Sequence, residues 1–224
     1  MTLHSAREKL TNIETTRLPD VTKIIKSEQK RSQILTAASE LFSEHGYKIN
    51  MDQIAKAANV SKQTVYSHFK NKDELFETCM QTKCAERELS PDAFDMNATL
   101  EDELVKFGVK FQDLLLDDQS RQTFQNAVSQ SSTHPEIAAI YLETGPQKTT
   151  KLLADYLQAK IDSGDLTLST SSSPIIAARQ LLLMFHGKSA YWSFFGHDSG
   201  ESDDERQSYT RECVALFLNG DQTR

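Results

Sequence analysis

The chain of 224 residues is poor in everything that interrupts a helix: five prolines and eight glycines. It also lacks the apolar/polar alternation of half-buried strands, which excludes a sheet as its organising element. Its three cysteines (Cys79, Cys84, Cys213) include no CxxC pair. Cys79 and Cys84 stand five apart, roughly 140° from each other on one helix, and so cannot bridge; all three read as small buried or half-buried residues. The longest apolar run, LLLMF at 181–185, falls far short of the ~20 residues that cross a bilayer. The N-terminal MTLHSAREKL has no apolar stretch of the secretory kind, so the default expectation is a cytoplasmic protein without a membrane partner. The six histidines (positions 4, 45, 68, 134, 186 and 197) show no metal-ligand spacing. No nucleotide loop and no GxSxG is present. His134 and His186 with nearby carboxylates are the only imaginable acid–base partners, so no catalysis, cofactor or metal is expected.

What is present is charge, unevenly divided. The formal net charge is −7. Residues 1–72 hold 12 Lys+Arg against 7 Asp+Glu, a net of +5, and residues 73–224 hold 13 against 25, a net of −12. A basic third on an acidic body fits a local polyanion-binding module whose remainder is repelled from the polyanion. Solvated charged faces explain composition equally well, so particular residues must decide.

Apolar residues recur at three and four throughout, which predicts an all-α fold. The segment 29–46 puts Ile34, Leu35, Ala38, Leu41 and Phe42 on one face, and Gly46 stops it. Short helices follow over 51–58, capped by Asn50, and 62–69, capped by Ser61. A fourth begins after Asn71, with Glu74 placed for a capping box, and runs to about 88. Further helices are predicted near 99–116, 119–131, 135–162, 174–196 and 202–219, about nine in all. Gly145-Pro146 should break or kink the seventh. The domains read as a polar, flexible extension over 1–27, a helix-turn-helix unit over 28–76 and a larger helical body over 77–224. Val21 to Lys26 could instead prolong the first helix, and Arg17, Lys23 and Lys26 could serve as a minor-groove arm.

Two short helices joined by a tight turn form a helix-turn-helix. Ile54 and Val65 face inward, Ala55 is small where the second helix crosses, and Val60 packs the turn. Asn59 sits where a left-handed backbone is needed, a conformation that Asn tolerates next best after Gly. The second helix carries groove-reading chemistry. Gln63 is suited to adenine, Thr64 offers a methyl to thymine, and Lys62 reaches guanine or phosphate. Tyr66, His68 and Lys72 suit the phosphate backbone.

The run GYKINMDQIAKAANVSKQTVYSHFKNKDELF (46–76) strongly resembles the DNA-binding region of TetR-family transcriptional regulators. Family members show a Gly before the second helix, IA within it, a GVS turn and then Y-x-HF-x-x-K-x-x-L. Here these are Gly46, Ile54-Ala55, Asn59-Val60-Ser61, Tyr66, His68-Phe69, Lys72 and Leu75. Two positions depart from the pattern. Asn59 replaces the usual glycine, and Asp52 stands where many members carry a basic or neutral residue. Asp52 favours its helix N-terminus but would weaken a phosphate contact, so it is left out of the expected DNA contacts.

The resemblance implies a homodimer whose body binds a small effector. It makes the two apolar late helices a four-helix seam, with Leu181, Phe185, Lys188, Trp192, Val214, Phe217 and Leu218 as interface candidates; intramolecular core explains each of them as well. Phe107, Phe111, Phe124, Tyr141 and Met184 are the candidates for an aromatic-lined pocket, with plain core again the alternative. The resulting expectation is a repressor that binds a pseudo-palindromic duplex operator and is released by an apolar or aromatic effector. The competing expectation is an architectural DNA-binding dimer of the same fold without an effector.

Overall fold

The computed structural model describes residues 21–133, 135–169 and 172–220. Among them there is no strand, and eleven α-helices follow one another. The head consists of α1 (Val21–His45), a 3₁₀ turn (Gly46–Lys48), α2 (Met51–Ala57) and α3 (Lys62–His68). Then comes α4 (Lys72–Glu86), which leads by way of a second 3₁₀ turn (Pro91–Ala93) into the body. The body comprises α5 (Leu100–Leu116), α6 (Asp118–Gln130), α7 (Pro135–Leu142), α8 (Lys148–Asp162), α9 (Pro174–Phe185), α10 (Gly187–Ser193) and α11 (Asp203–Gly220).

The surplus over the expected nine helices has local causes. Pro146 brings no N–H to the backbone ladder, and the chain absorbs it in one π-helical turn, Glu143–Gln147, between α7 and α8. The helix expected over 174–196 divides at Gly187, whose φ is +58°. Two side chains take up carbonyls at that break: Gln112 Nε2 donates to Phe185 O at 2.9 Å, and Tyr209 OH to Met184 O at 2.9 Å. The first helix also begins earlier than expected. Residues 21–27 are helical, which corrects the reading of 1–27 as one flexible extension; residues 1–20 lie outside the described residues.

Two apolar cores organise the molecule. Ile34, Ala38, Phe42, Ile54, Val65, Phe69, Leu75 and Phe76 fill the head. Leu104, Phe107, Leu153, Leu157, Ala178, Leu181, Phe185 and Val214 fill the body. The expected boundary at residue 76 falls within α4, which serves both cores: Leu75, Phe76 and Cys79 pack in the head, and Cys84 packs against the body. It ends in a Schellman motif, with Glu88 at φ +54° and Leu89 N–H bonded to Cys84 O. Leu89 then enters the body core.

Head and body are joined where the C-terminal end of α1 meets α6. Ser43 Oγ donates to Gln122 Oε1 at 2.7 Å, and Asn126 Nδ2 donates to Ser43 O at 2.6 Å. Gly46, at φ +66°, is required there, because a Cβ would stand 2.5 Å from Gln130 Nε2. On the other flank α4 is tied down by the Glu77–Lys148 ion pair and by the contacts of Lys83 and Arg87 with Asp117, at 3.1 Å each.

Candidate functional site

Local chemistry fixes the two short head helices. Asn50 accepts the N–H groups of Asp52 and Gln53, while Gln53 Oε1 accepts the N–H of Asn50 at 2.8 Å, a reciprocal capping box. Asn59 takes φ +52°, the left-handed turn expected of it, and Val60 N–H bonds Ala55 O across the turn. Ser61 Oγ then accepts the N–H of Thr64 at 3.0 Å and starts α3. Ile54, Ala55 and Val65 are buried between the helices, so the opposite side of α3 is left outward.

That side presents Lys62, Gln63 and Tyr66 exposed, with His68 half-buried. The Gln63 side chain makes no hydrogen bond to the described residues, so both of its amide functions are open to solvent. Thr64 is half-buried, its hydroxyl 2.8 Å from Ser61 Oγ. Lys62 is held by Asp52, Nζ to Oδ1 at 2.7 Å, and this bond and charge raise its pKa. Asp52 is thus a tether between α2 and α3, a role its place in the sequence did not disclose.

Lys72 has an intramolecular role that the sequence reading did not contain. Its ammonium donates to Tyr47 O at 2.7 Å and Ile49 O at 3.1 Å, and lies 3.9 Å from the centre of the Tyr47 ring. Burial lowers its pKa. It therefore staples the α1–α2 connection with two of its three N–H donors. Lys70, two residues earlier and exposed, is the cation left at that edge. Arg31 lies 5.2 Å over the Phe69 ring and sets α1 against the end of α3. Of the possible arm, Arg17 lies outside the described residues, while Lys23 and Lys26 fall on the first two turns of α1.

In the body, α4 to α9, with His186 and Phe194 at the two ends of α10, line a partly open cavity of about 730 Å³. Phe111, Phe124 and Tyr141 line it as expected. Phe107 and Met184 do not. Phe107 stacks with Phe94 at 5.4 Å in the core, and Met184 packs against that core. The sequence reading missed Met80, Leu114, Leu115, Leu182, His186 and Phe194, which line the cavity from α4, α5, α9 and the end of α10. Burial pushes the Tyr141 phenol up to about 12, so it stays a neutral hydroxyl. The ring of His186 is held edge-on to Phe111 and Phe194. Its Nδ1 lies 2.8 Å from Leu182 O, and because a carbonyl only accepts, Nδ1 carries the proton.

The interface candidates separate by burial. Leu181, Phe185 and Val214 are fully buried within the single chain, so they are core and not a surface offered to a partner. Lys188 and Trp192 are exposed, and Phe217 and Leu218 half-buried. The large exposed apolar residues of this region are Ile175, Ile176, Leu183, Tyr191, Phe195, Tyr209 and Leu216, together with Trp192. Leu183, Phe195 and Leu216 are 66–69% exposed.

Comparison with known proteins places this architecture. Residues 34–79 match the family model of bacterial regulatory proteins of the tetR family, and residues 102–220 match the C-terminal domain of AefR-like transcriptional repressors. The chain belongs to the TetR family. It is 31% identical over 136 residues to the uncharacterized HTH-type transcriptional regulator YhgD of Bacillus subtilis (strain 168), covering 60% of this chain and 69% of that one. It is 46% identical over 55 residues to the HTH-type transcriptional activator FasR of Mycolicibacterium smegmatis, covering 24% and 25% of the two chains. Among solved structures, the flavonoid-responsive regulator FrrA superposes with a TM-score of 0.66 at 26% identity, covering 86% of this chain and 97% of that one. A TetR-family regulator from Mesorhizobium loti shares the fold, with a TM-score of 0.67 at 23% identity over 87% and 97% of the chains. This TetR-family chain is accordingly a DNA-binding transcriptional regulator and not an enzyme. Among its described residues no helix is long and apolar enough to cross a membrane.

Proposed function

We propose that this TetR-family chain is a ligand-responsive repressor. Two copies bind a pseudo-palindromic operator, each placing α3 in a major groove, and a small apolar or aromatic effector in the body cavity releases them. The observation that carries this reading is the cavity itself, because α4 contributes Met80, Lys83 and Cys84 to its wall. The same helix packs Leu75 and Phe76 in the head core, so a ligand that spreads the wall acts directly on the support of α3. A ligand that prefers the spread conformation then shifts the population away from the DNA-competent one. The base readers are Gln63 and Thr64, with Lys62, Tyr66 and His68 on bases or backbone. The exposed apolar residues of α9 to α11 support the two-fold seam. FrrA, described as flavonoid-responsive, lends weight to an aromatic effector.

The test is fluorescence anisotropy on duplexes tiled across the intergenic DNA beside the gene, followed by a library of apolar and aromatic compounds added to the complex. One duplex bound in the nanomolar range, weakened by Tyr66→Ala and released by a compound that also raises the Tm of the free protein, is the expected result. Binding at many unrelated sites with no releasing compound would favour the architectural dimer instead.

A further inference from the structure

We infer that the effector of the body cavity is an amphipathic anion, an alkyl or aryl body with one carboxylate or comparable acidic group, whose charge is met by Arg179. This rests on the ligand-binding reading of the cavity given above.

The wall is mostly apolar, with Phe111, Leu114, Phe124, Leu182 and Phe194 presenting rings and branched chains. A ligand that fills it must therefore be largely apolar. The charged residues of the lining are all of one sign. Lys83 and Arg179 line the cavity, and no Asp or Glu does, in a chain with 32 acidic residues and a formal net charge of −7. The local charge is thus opposite to that of the molecule as a whole.

The two cations are not equivalent. Lys83 Nζ lies 3.1 Å from Asp117 Oδ2 and 3.3 Å from Gln119 Oε1. Asp117 is further held by Arg87 at 3.1 Å and by the N–H of Ser120 at 3.1 Å. Lys83 thus already has its counter-ion, and the Lys83–Arg87–Asp117 group keeps one positive charge over. Arg179 has no hydrogen bond and no ion pair to any described residue, and it is exposed at the cavity's α9 side. A guanidinium is a planar fork of donors that matches a carboxylate in two parallel hydrogen bonds, and it stays charged at any working pH.

The remaining side-chain polar groups of the lining, on Ser120, Tyr141, Gln147, Thr149, Thr150 and His186, are hydroxyl, amide and imidazole functions without a carboxylate, so the sign of the ligand's charge is left to Lys83 and Arg179. The hydroxyls of Thr149 and Thr150 donate to Gly145 O and Pro146 O within their own helical turns. His186 is positioned by Leu182 O and holds its second nitrogen for a ligand hydroxyl or acid. An ammonium group would find aromatic faces but no carboxylate in the lining, and the unpaired guanidinium of Arg179 would oppose it.

The experiment uses the full chain and a neutral reporter, N-phenyl-1-naphthylamine, whose fluorescence rises in apolar sites. Dodecanoate and dodecylamine, kept below their micelle concentrations, are titrated as competitors of equal chain length and opposite charge. Dodecanoate is expected to displace the reporter at about tenfold lower concentration or less, the scale of one charge-assisted hydrogen-bonded pair. In Arg179→Gln, an exposed position outside both cores, most of that preference disappears once each competitor is referred to the reporter's Kd measured on the same variant. Equal displacement by acid and amine, a preference for the amine, or an unaltered preference in Arg179→Gln overturns the inference and leaves the cavity reading standing. A reporter that binds neither protein removes the cavity reading and this inference with it.

Discussion

At the scale of single residues, the cations of the head fall into two kinds. Lys62 has spent its charge on Asp52 at the surface proposed above to meet DNA. Asp52→Asn should free it, strengthen duplex binding severalfold at low salt and steepen the slope of log K against log salt by about one. Lys72 is different, because its ammonium is committed to two carbonyls. Lys72→Met should lower stability by roughly 1–3 kcal/mol, as expected for hydrogen bonds made by a charged donor, and leave the salt slope of the remaining folded protein unchanged. Titration of binding from 50 to 300 mM salt, beside urea unfolding, separates the two cases. Cys79 makes a third prediction. Burial pushes its thiol up to about 11 from an ordinary 9.0, so the folded chain keeps it protonated where the unfolded chain would ionise it. The stability due to this burial is therefore complete below pH 9 and is lost as pH rises from there toward 11. Alkylation by iodoacetamide at pH 8 should accordingly be slow at Cys79 until the chain is unfolded.

At the scale of elements, what was legible in the sequence was what neighbouring residues decide among themselves. Asn50, Asn59, Ser61 and Asn71 announce caps and a turn by their own chemistry, and each does the expected work. Glu74 is a partial exception, since its carboxylate accepts the N–H of Lys70 at 2.8 Å rather than that of Asn71. Whatever depends on how a helix is rotated against distant partners was not legible. Helix α9 is apolar nearly all round, so nothing in IIAARQLLLMF tells the buried Leu181 and Phe185 from the exposed Leu183. Phe107 and Phe111 lie one turn apart, yet only Phe111 reaches the cavity. The duty of Lys72 was hidden because its acceptors are backbone carbonyls 23 and 25 residues away. The join between α1 and α6 carries its own prediction. Gly46→Ala combines a left-handed backbone with a Cβ against Gln130, and should cost about 1–2 kcal/mol. Differential scanning calorimetry of that variant, with Gly164→Ala as a comparison at φ +84° without a close neighbour, separates backbone strain from the clash.

At the scale of the whole molecule, a single copy leaves large apolar side chains exposed. Its apolar residues are buried well in both cores, yet Leu183, Tyr191, Phe195 and Leu216 remain uncovered on α9 to α11. Replacing Leu183 and Leu216 together by Glu should leave circular dichroism and the core unaltered and yield monomers in sedimentation velocity. Operator affinity should fall by orders of magnitude, because each half-site would then be held by one head alone. A variant that stays dimeric and binds as before would move the two-fold seam elsewhere.

The grip of α6 on the far end of α1 turns that helix into a lever. Its 25 residues make a rod of about 37 Å, bonded to α6 at Ser43 near its C-terminal end. A tilt of about 5° at the clamp sweeps the Val21 tip through about 3 Å and Arg31, where the rod rests on the end of α3, through about 2 Å. Displacements of that size exceed the tolerance of a hydrogen bond to a base edge. A rearrangement of α6 too slight to disturb either core is thus large enough, at the tip, to be felt by DNA.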